Sequence, residues 1–209
     1  MIYIIDYGMG NVGSILNMIN HIGGEATITE NPNSLGKASG IILPGVGAFE
    51  RGMRNLKEYG WINPLNTAAN INKIPTLGIC LGMQLMTRSS EESSNIDGLG
   101  WFSADTIKLN MPNKNKFKIP HMGWNTLNSL KNSKLFPSYK DEQRFYFVHS
   151  YHVICDNEKD ISAKTKYGLE FASAIEKENI FGIQPHPEKS HKFGMRLFKN
   201  FINITTIKC

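Results

Sequence analysis

Cysteine is scarce in this chain, with three in 209 residues, and long apolar runs are missing altogether. Cys80, Cys155 and Cys209 make no disulfide framework, and none stands at Cys-x-x-Cys spacing, which argues against a structural zinc site. No His, Asp or Glu cluster has the spacing of metal ligands, so neither a metal nor a cofactor is expected. The longest apolar stretches, such as Ile41-Ile42-Leu43, fall far short of the roughly 18 residues that span a bilayer. The opening Met-Ile-Tyr-Ile-Ile-Asp lacks a basic region and a small-residue cleavage site, so a cytoplasmic protein without a membrane partner is expected. Internal repeats and low-complexity tracts are absent too.

Charge is modest. Lys and Arg total 23 against 18 Asp and Glu, a net +5 that favours solubility and an acidic partner or a phosphorylated substrate. The lysines are scattered. Their densest stretch, 108–118, interleaves Asn and Pro and offers no stacking platform, so it reads as a solvated loop rather than a nucleic-acid site. With 41% hydrophobic and 20% charged residues the composition is that of an ordinary globular protein. One domain over 1–209 is expected, large enough to bury about 70% of its unfolded surface without staples.

The first half alternates strand and helix signals. Residues 2–6, 25–29, 40–43 and 76–79 read as short apolar strands. Val12, Ile15, Leu16, Ile19 and Ile22 recur at helical spacing over 11–22, and Gly23-Gly24 ends that helix. Helical stretches are expected near 49–57 and 64–70. This alternation predicts an α/β fold with a mostly parallel central sheet, flanking helices and right-handed crossovers. The second half differs. Residues 98–130 are rich in Gly, Pro, Asn and Lys between short β-like runs. Strands are expected at 145–148, 172–175 and 180–184, with a closing helix over 189–202 that aligns Phe193, Leu197, Phe198 and Phe201. The middle reads as an antiparallel elaboration of the same sheet. Cys155 reads as buried strand and Cys209 as a frayed terminus.

The sharpest local signal is Gly78-Ile-Cys-Leu-Gly82. An apolar strand runs into a nucleophile-type residue with glycines two positions to either side, the Gly-x-nucleophile-x-Gly elbow with Cys in place of Ser. The alternative is a buried Cys in a Gly-rich turn. A helix N-terminus just after Cys80 favours a thiolate. A thiolate nucleophile needs a proton shuttle. Among six histidines, His186 in Gln184-Pro-His-Pro-Glu188 follows an apolar strand and belongs at the sheet's C-terminal edge, where functional groups of open α/β sheets gather. Glu188 is placed to accept a hydrogen bond from its far ring nitrogen, which would complete a nucleophile–base–orienter triad; a structural role for His186 is the alternative. His21 and His191 are assigned to surface or packing. The Leu81 amide and one from Val46 or Gly47, in Pro44-Gly-Val-Gly-Ala48, are candidate oxyanion donors, and the flanking glycines permit a peptide flip; the alternative is an ordinary β-turn.

Gly78-Ile-Cys-Leu-Gly-Met-Gln84 together with Pro185-His-Pro-Glu188 resembles the class I glutamine amidotransferases. Further markers are Tyr7-Gly-Met-Gly-Asn11, Leu43-Pro-Gly-Val-Gly-Ala-Phe49, Ile119-Pro-His-Met-Gly-Trp-Asn125, Tyr146-Phe-Val-His-Ser-Tyr151 and His186-Pro-Glu-Lys-Ser190. They fall in order across nearly the whole chain. Their details are similar to the branch of glutaminase subunits that serve histidine biosynthesis as heterodimers with a (β/α)8-barrel cyclase. A paralogous branch supplies a related barrel that aminates a surface-polysaccharide sugar.

The resemblance implies a flavodoxin-like fold and glutamine as substrate. It implies Cys80 as nucleophile, His186 as acid and base, Glu188 as its orienter, and Leu81 and Val46 amides as the oxyanion hole. It implies that Gln84, Glu92, His149, Ser150 and Tyr151 bind substrate and that Asn11, His121, Met122, Trp124 and Lys189 meet the barrel. For Trp124 an ordinary core position is the alternative. Two departures touch the site's surroundings: Pro185 where an aromatic is usual, and Thr87-Arg88 where an apolar and acidic pair is usual. An idle scaffold and an unrelated cysteine hydrolase are competing readings. The first leaves Cys80, His186 and Glu188 without a purpose, and the second leaves Gln84, Glu92 and 146–151 unexplained.

Overall fold

The computed structural model describes residues 1–93, 95–113, 115–130, 133–137 and 141–206. Lys114, in the lysine-rich stretch, and Cys209 lie outside them. In chain order the elements are β1 (Ile2–Ile5), α1 (Val12–His21), β2 (Ala26–Thr29), β3 (Gly40–Leu43), α2 (Phe49–Glu58), α3 (Ile62–Asn66), β4 (Thr76–Ile79), α4 (Leu81–Leu85) and β5 (Ser89–Ser90). They continue with β6 (Ala104–Lys108), β7 (His121–Ser129), β8 (Gln143–His149), β9 (Tyr151–Cys155), β10 (Ile161–Tyr167), β11 (Leu169–Lys177), β12 (Ile180–Ile183) and α5 (His191–Thr206).

The sheet runs β2-β1-β3-β4-β12 with every neighbour parallel. It then turns antiparallel through β11, β10, β7 and β8, while β9 bridges β11 to β6. The α/β class stands, and the antiparallel part is as extensive as the parallel core. Parallel strands buried on both faces read as unbroken apolar runs. Ile41 and Leu43 of β3 pack with α2, α3 and α4, whereas Ile42 packs with α1 and α5 on the opposite face. α1 starts on Asn11, whose side chain accepts from the Ser14 amide, and ends at Gly23, whose φ of +79° suits glycine.

Some boundaries differ from the sequence pattern. The 64–70 helix starts earlier, at Ile62, and passes into a π-turn over Thr67–Ile71. The closing helix begins at His191 rather than 189, because Pro187–Lys189 forms a 3-10 turn first. The sequence pattern does not mark β10, since its Ser162 and Thr165 are buried and break the apolar run. Cys155 is only half-buried on β9, and burial followed by Asp160 and Asp156 pushes its thiol up to about 12.

The turn from β4 into α4 is the tightest feature of the core. A Cβ on Gly78 would sit 2.8 Å from the Gly82 backbone, and one on Gly82 would run into the Leu43 carbonyl oxygen. Gly82→Ala is therefore expected to cost about 3 kcal/mol in urea unfolding. Gly13→Ala in α1, where nothing lies within 4 Å, should stabilise by about 0.5 kcal/mol.

Candidate functional site

The C-terminal ends of β1, β3, β4 and β12 converge, as their parallel direction requires. Cys80 closes β4 at φ +53° and ψ −108°, and its amide donates to the Ile183 carbonyl at 2.7 Å. That backbone places the side chain over the start of α4, beside the segment leaving β12. Its sulfur lies 3.9 Å from the Val148 carbonyl and 3.6 Å from Gln184 Nε2.

His186 emerges where β12 ends, anchored by its amide on the Tyr146 carbonyl at 2.8 Å. Pro185 removes no needed donor, because the Gln184 and His186 amides on either side make the bonds that hold this segment. His186 Nδ1 donates to Glu188 Oε1 at 2.8 Å, and both side chains are 2% exposed. With Nδ1 on Glu188, the ring's Nε2 is the nitrogen left to interact with Cys80. Burial disfavours the imidazolium, but hydrogen bonding to Cys80 and Glu188, together with their charge, outweighs it and raises His186 to about 10.

The turn after β3 holds the candidate oxyanion donors. Tyr7 Oη, fully buried, donates to the Pro44 carbonyl at 2.7 Å and fixes the start of that turn. The Leu81 amide donates to the Gly45 carbonyl at 3.3 Å. One candidate oxyanion donor is thus occupied by the peptide that would have to rotate to present Val46 N–H. Gly47, at φ +102°, supplies a hinge on the far side.

A pocket of ≈ 320 Å³ opens over Cys80. Val46, Gly47, Leu81, Gln84, Glu92, His149, Ser150, Tyr151 and His186 line it, together with Pro120 and Val148. Every residue expected in the oxyanion hole or on substrate is therefore at one place. Glu92 Oε2 accepts the Phe49 amide at 2.7 Å, so its carboxylate also caps α2, which has no side-chain cap of its own. Gln84 Nε2 donates to the Tyr151 carbonyl and to Gln184 Oε1, both at 3.1 Å. Its own Oε1 is left for the pocket.

His149 behaves unlike His186. Its Nδ1 donates to the Tyr151 carbonyl at 2.8 Å, so its Nε2 accepts, at 3.0 Å, from His121 Nδ1. His121 Nε2 then accepts from Asn125 Nδ2 at 3.2 Å. Burial lowers His149 to about 3 and His121 to about 4, and both rings stay neutral at physiological pH.

Of the five positions expected on a partner face, four lie at the surface and one needs correction. Met122 and Trp124 are exposed at 61% and 41%, Asn11 and Lys189 are exposed, and Trp124 stacks on His191. Trp124 is thus no core residue. His121 is 2% exposed and sandwiched between Tyr167 and Phe147. It cannot meet a partner, because strand alternation turns it inward where Met122 turns out. Thr87 and Arg88, the second departure, are structural. Thr87 Oγ1 closes α4 on the Gln84 carbonyl at 2.7 Å, and Arg88 pairs with Asp105 and Asp156. Among the described residues no group of His, Cys, Asp and Glu could hold a metal ion, and no helix is long and apolar enough to cross a membrane. Sequence reasoning misses Tyr7, Pro120, Val148 and Gln184 as site residues. Gln184 lies inside the His186 motif and is the one with a readable signal.

The geometry predicts that Glu188→Gln, which removes the anion beside the imidazolium, lowers the His186 pKa by about one unit or more. Imidazole NMR titration reads this directly, and His149 should not move.

The family model described as glutamine amidotransferase class-I matches residues 3–204. A relative from Methanococcus maripaludis, "Imidazole glycerol phosphate synthase subunit HisH 2", is 56% identical over 97% of this chain and 98% of its own. The same organism's "Imidazole glycerol phosphate synthase subunit HisH 1" is 41% identical over 98% of this chain and all of its own length. Among solved structures, a crystal structure of a glutamine amidotransferase superposes with a TM-score of 0.76 at 14% identity, covering 98% of this chain and 99% of that one, and speaks to fold alone. The chain belongs to the class I glutamine amidotransferase family.

Proposed function

We propose that residues 1–209 act as one amidotransferase domain, the glutaminase subunit of imidazole glycerol phosphate synthase. It hydrolyses glutamine to glutamate and ammonia, and the ammonia passes to a (β/α)8-barrel cyclase in histidine biosynthesis. The observation that carries the chemistry is the convergence of Cys80, the His186–Glu188 pair and two candidate oxyanion amides on one pocket.

The free Oε1 of Gln84 and the Glu92 carboxylate receive the α-ammonium group of glutamine. The segment 149–151 walls the other side of the pocket. The Cys80 thiolate attacks the side-chain amide carbon. His186 Nε2 gives its proton to the departing nitrogen, ammonia leaves, and a γ-glutamyl thioester remains. His186 then takes a proton from water, which attacks the thioester and frees glutamate and the thiol. Each tetrahedral oxyanion needs the Leu81 amide, so the Gly45 carbonyl has to leave it. Rotation of the Gly45–Val46 peptide does this and brings Val46 N–H in, giving two donors where the charge develops.

That requirement makes the subunit slow alone and fast when a partner favours the rotated turn. Val46, Ile119, Met122 and Trp124 are exposed apolar side chains around the pocket, next to lining residues Pro120 and Val148, and offer a docking face for the barrel. A sealed junction there keeps ammonia from bulk water, where it would be protonated at pH 7. Glutamate release should rise sharply only when both a histidine-pathway barrel and its nucleotide ligand are present. Cys80→Ala should abolish that release, by about 1,000-fold or more. Unstimulated release that equals the stimulated rate would overturn the gated reading.

A second reading has one observation in its favour: within M. maripaludis the higher identity is to the subunit numbered 2. In that reading the acceptor is a surface-polysaccharide sugar on a related barrel. Full rescue of a histidine auxotroph by this chain with its co-encoded barrel contradicts it; a barrel that fails to cyclise the histidine intermediate supports it.

A further inference from the structure

We infer that Gln184 is a catalytic residue that stabilises the Cys80 thiolate, with Gln84 and the Tyr151 carbonyl setting its direction. The inference deepens the glutaminase reading and rests on it for its meaning, though not for its test.

Gln184 is fully buried, follows β12, and directs its amide nitrogen to the Cys80 sulfur at 3.6 Å. Whether that nitrogen is a donor there depends on which way round the amide stands, and the surroundings decide it. The Tyr151 carbonyl can only accept. Gln84 must therefore present its NH2 group to it, as it does at 3.1 Å. The second proton of that NH2 group goes to Gln184 at 3.1 Å, where only the amide oxygen can receive it. The NH2 of Gln184 is then left to face sulfur. His149 Nδ1 donates to the same Tyr151 carbonyl, so the origin of the chain is held from two sides. A flip of Gln184 would set two NH2 groups against each other and turn an oxygen to the sulfur. Buried groups left unpaired in this way are costly.

The two contacts of the sulfur have opposite effects. The Val148 carbonyl at 3.9 Å can accept only from the neutral S–H. The Gln184 N–H favours the anion, and a hydrogen bond to an ionised acceptor is about twice as strong as a neutral one. Several titratable groups also face the thiol. They are His186 past β12, backed by Glu188, Tyr7 past β1, His149 of β8 and Glu92 across the pocket. His186 supplies the positive charge, and Gln184 adds a neutral donor whose direction does not change with pH.

The test is the rate of Cys80 alkylation by iodoacetamide against pH, on the full chain without glutamine or partner. Gln184→Met keeps the volume and removes the donor. It should move the midpoint of reactivity up by about one pH unit, with the melting temperature reported alongside. Gln84→Met, which frees the Gln184 amide to turn, should move it the same way by less, and decides the matter if the first variant does not fold. A midpoint within error of the parent in the folded variants overturns the assignment. Because alkylation needs no glutamine, that result would leave the glutaminase reading standing, and glutamine turnover tests that reading separately.

Discussion

Everything in the site depends on one close approach, that of the β4–α4 turn to the backbone of its neighbours. Gly78 and Gly82 have ordinary φ values, so conformational freedom is not why they are glycine. They are glycine because the Gly82 and Met83 backbone and the Leu43 carbonyl occupy the space a Cβ would need. The strain falls instead on Cys80, a non-glycine residue at positive φ. The same approach brings the Gly45 carbonyl within reach of the Leu81 amide and the Ile183 carbonyl within reach of Cys80 N–H. Cys80, the turn after β3 and the strand that leads to His186 are thereby held in register by backbone contacts, which side-chain changes at the pocket leave untouched.

On that frame the histidines divide by environment. His186 has an anion on one side and a thiol on the other, and its charged form is favoured despite burial. His149 and His121 see carbonyls, aromatic faces and each other, and burial keeps them neutral. A neutral imidazole can pass a fixed hydrogen-bond polarity along, and these two do so from Asn125 to the Tyr151 carbonyl. One fold thus holds an imidazole whose charged form is favoured and a neutral, rigid strut of the same residue type within a single pocket wall.

What is legible in the sequence follows from short-range causes. The parallel strands announce themselves because both faces are covered, and the elbow because its glycines sit two residues from Cys80. The His186–Glu188 pair is legible because two positions in a 3-10 turn bring the ring and carboxylate together. The antiparallel half is harder. β10 buries hydroxyls among its apolar residues, and β7 is nine residues long with mixed burial that gives no clean alternation. His121 is misplaced on the partner face because the resemblance carries it along with Met122 and Trp124 of the same motif, whereas strand alternation buries it and exposes those two. Gln184 escapes notice because its role is defined by Gln84, one hundred positions earlier, and by a backbone carbonyl of another strand.

In the proposed mechanism the Cys80 sulfur is already in place while the oxyanion hole is not, because the Gly45 carbonyl holds the Leu81 amide at 3.3 Å. The most direct test compares two rates on one preparation of the isolated chain: alkylation of Cys80, which needs no oxyanion hole, and turnover of glutamine, which does. Alkylation should proceed readily at neutral pH, with turnover about 100-fold or more below that reached with the barrel partner and its ligand. Glutamine turnover in the isolated chain at the partner-stimulated rate would contradict a hole that opens only on docking.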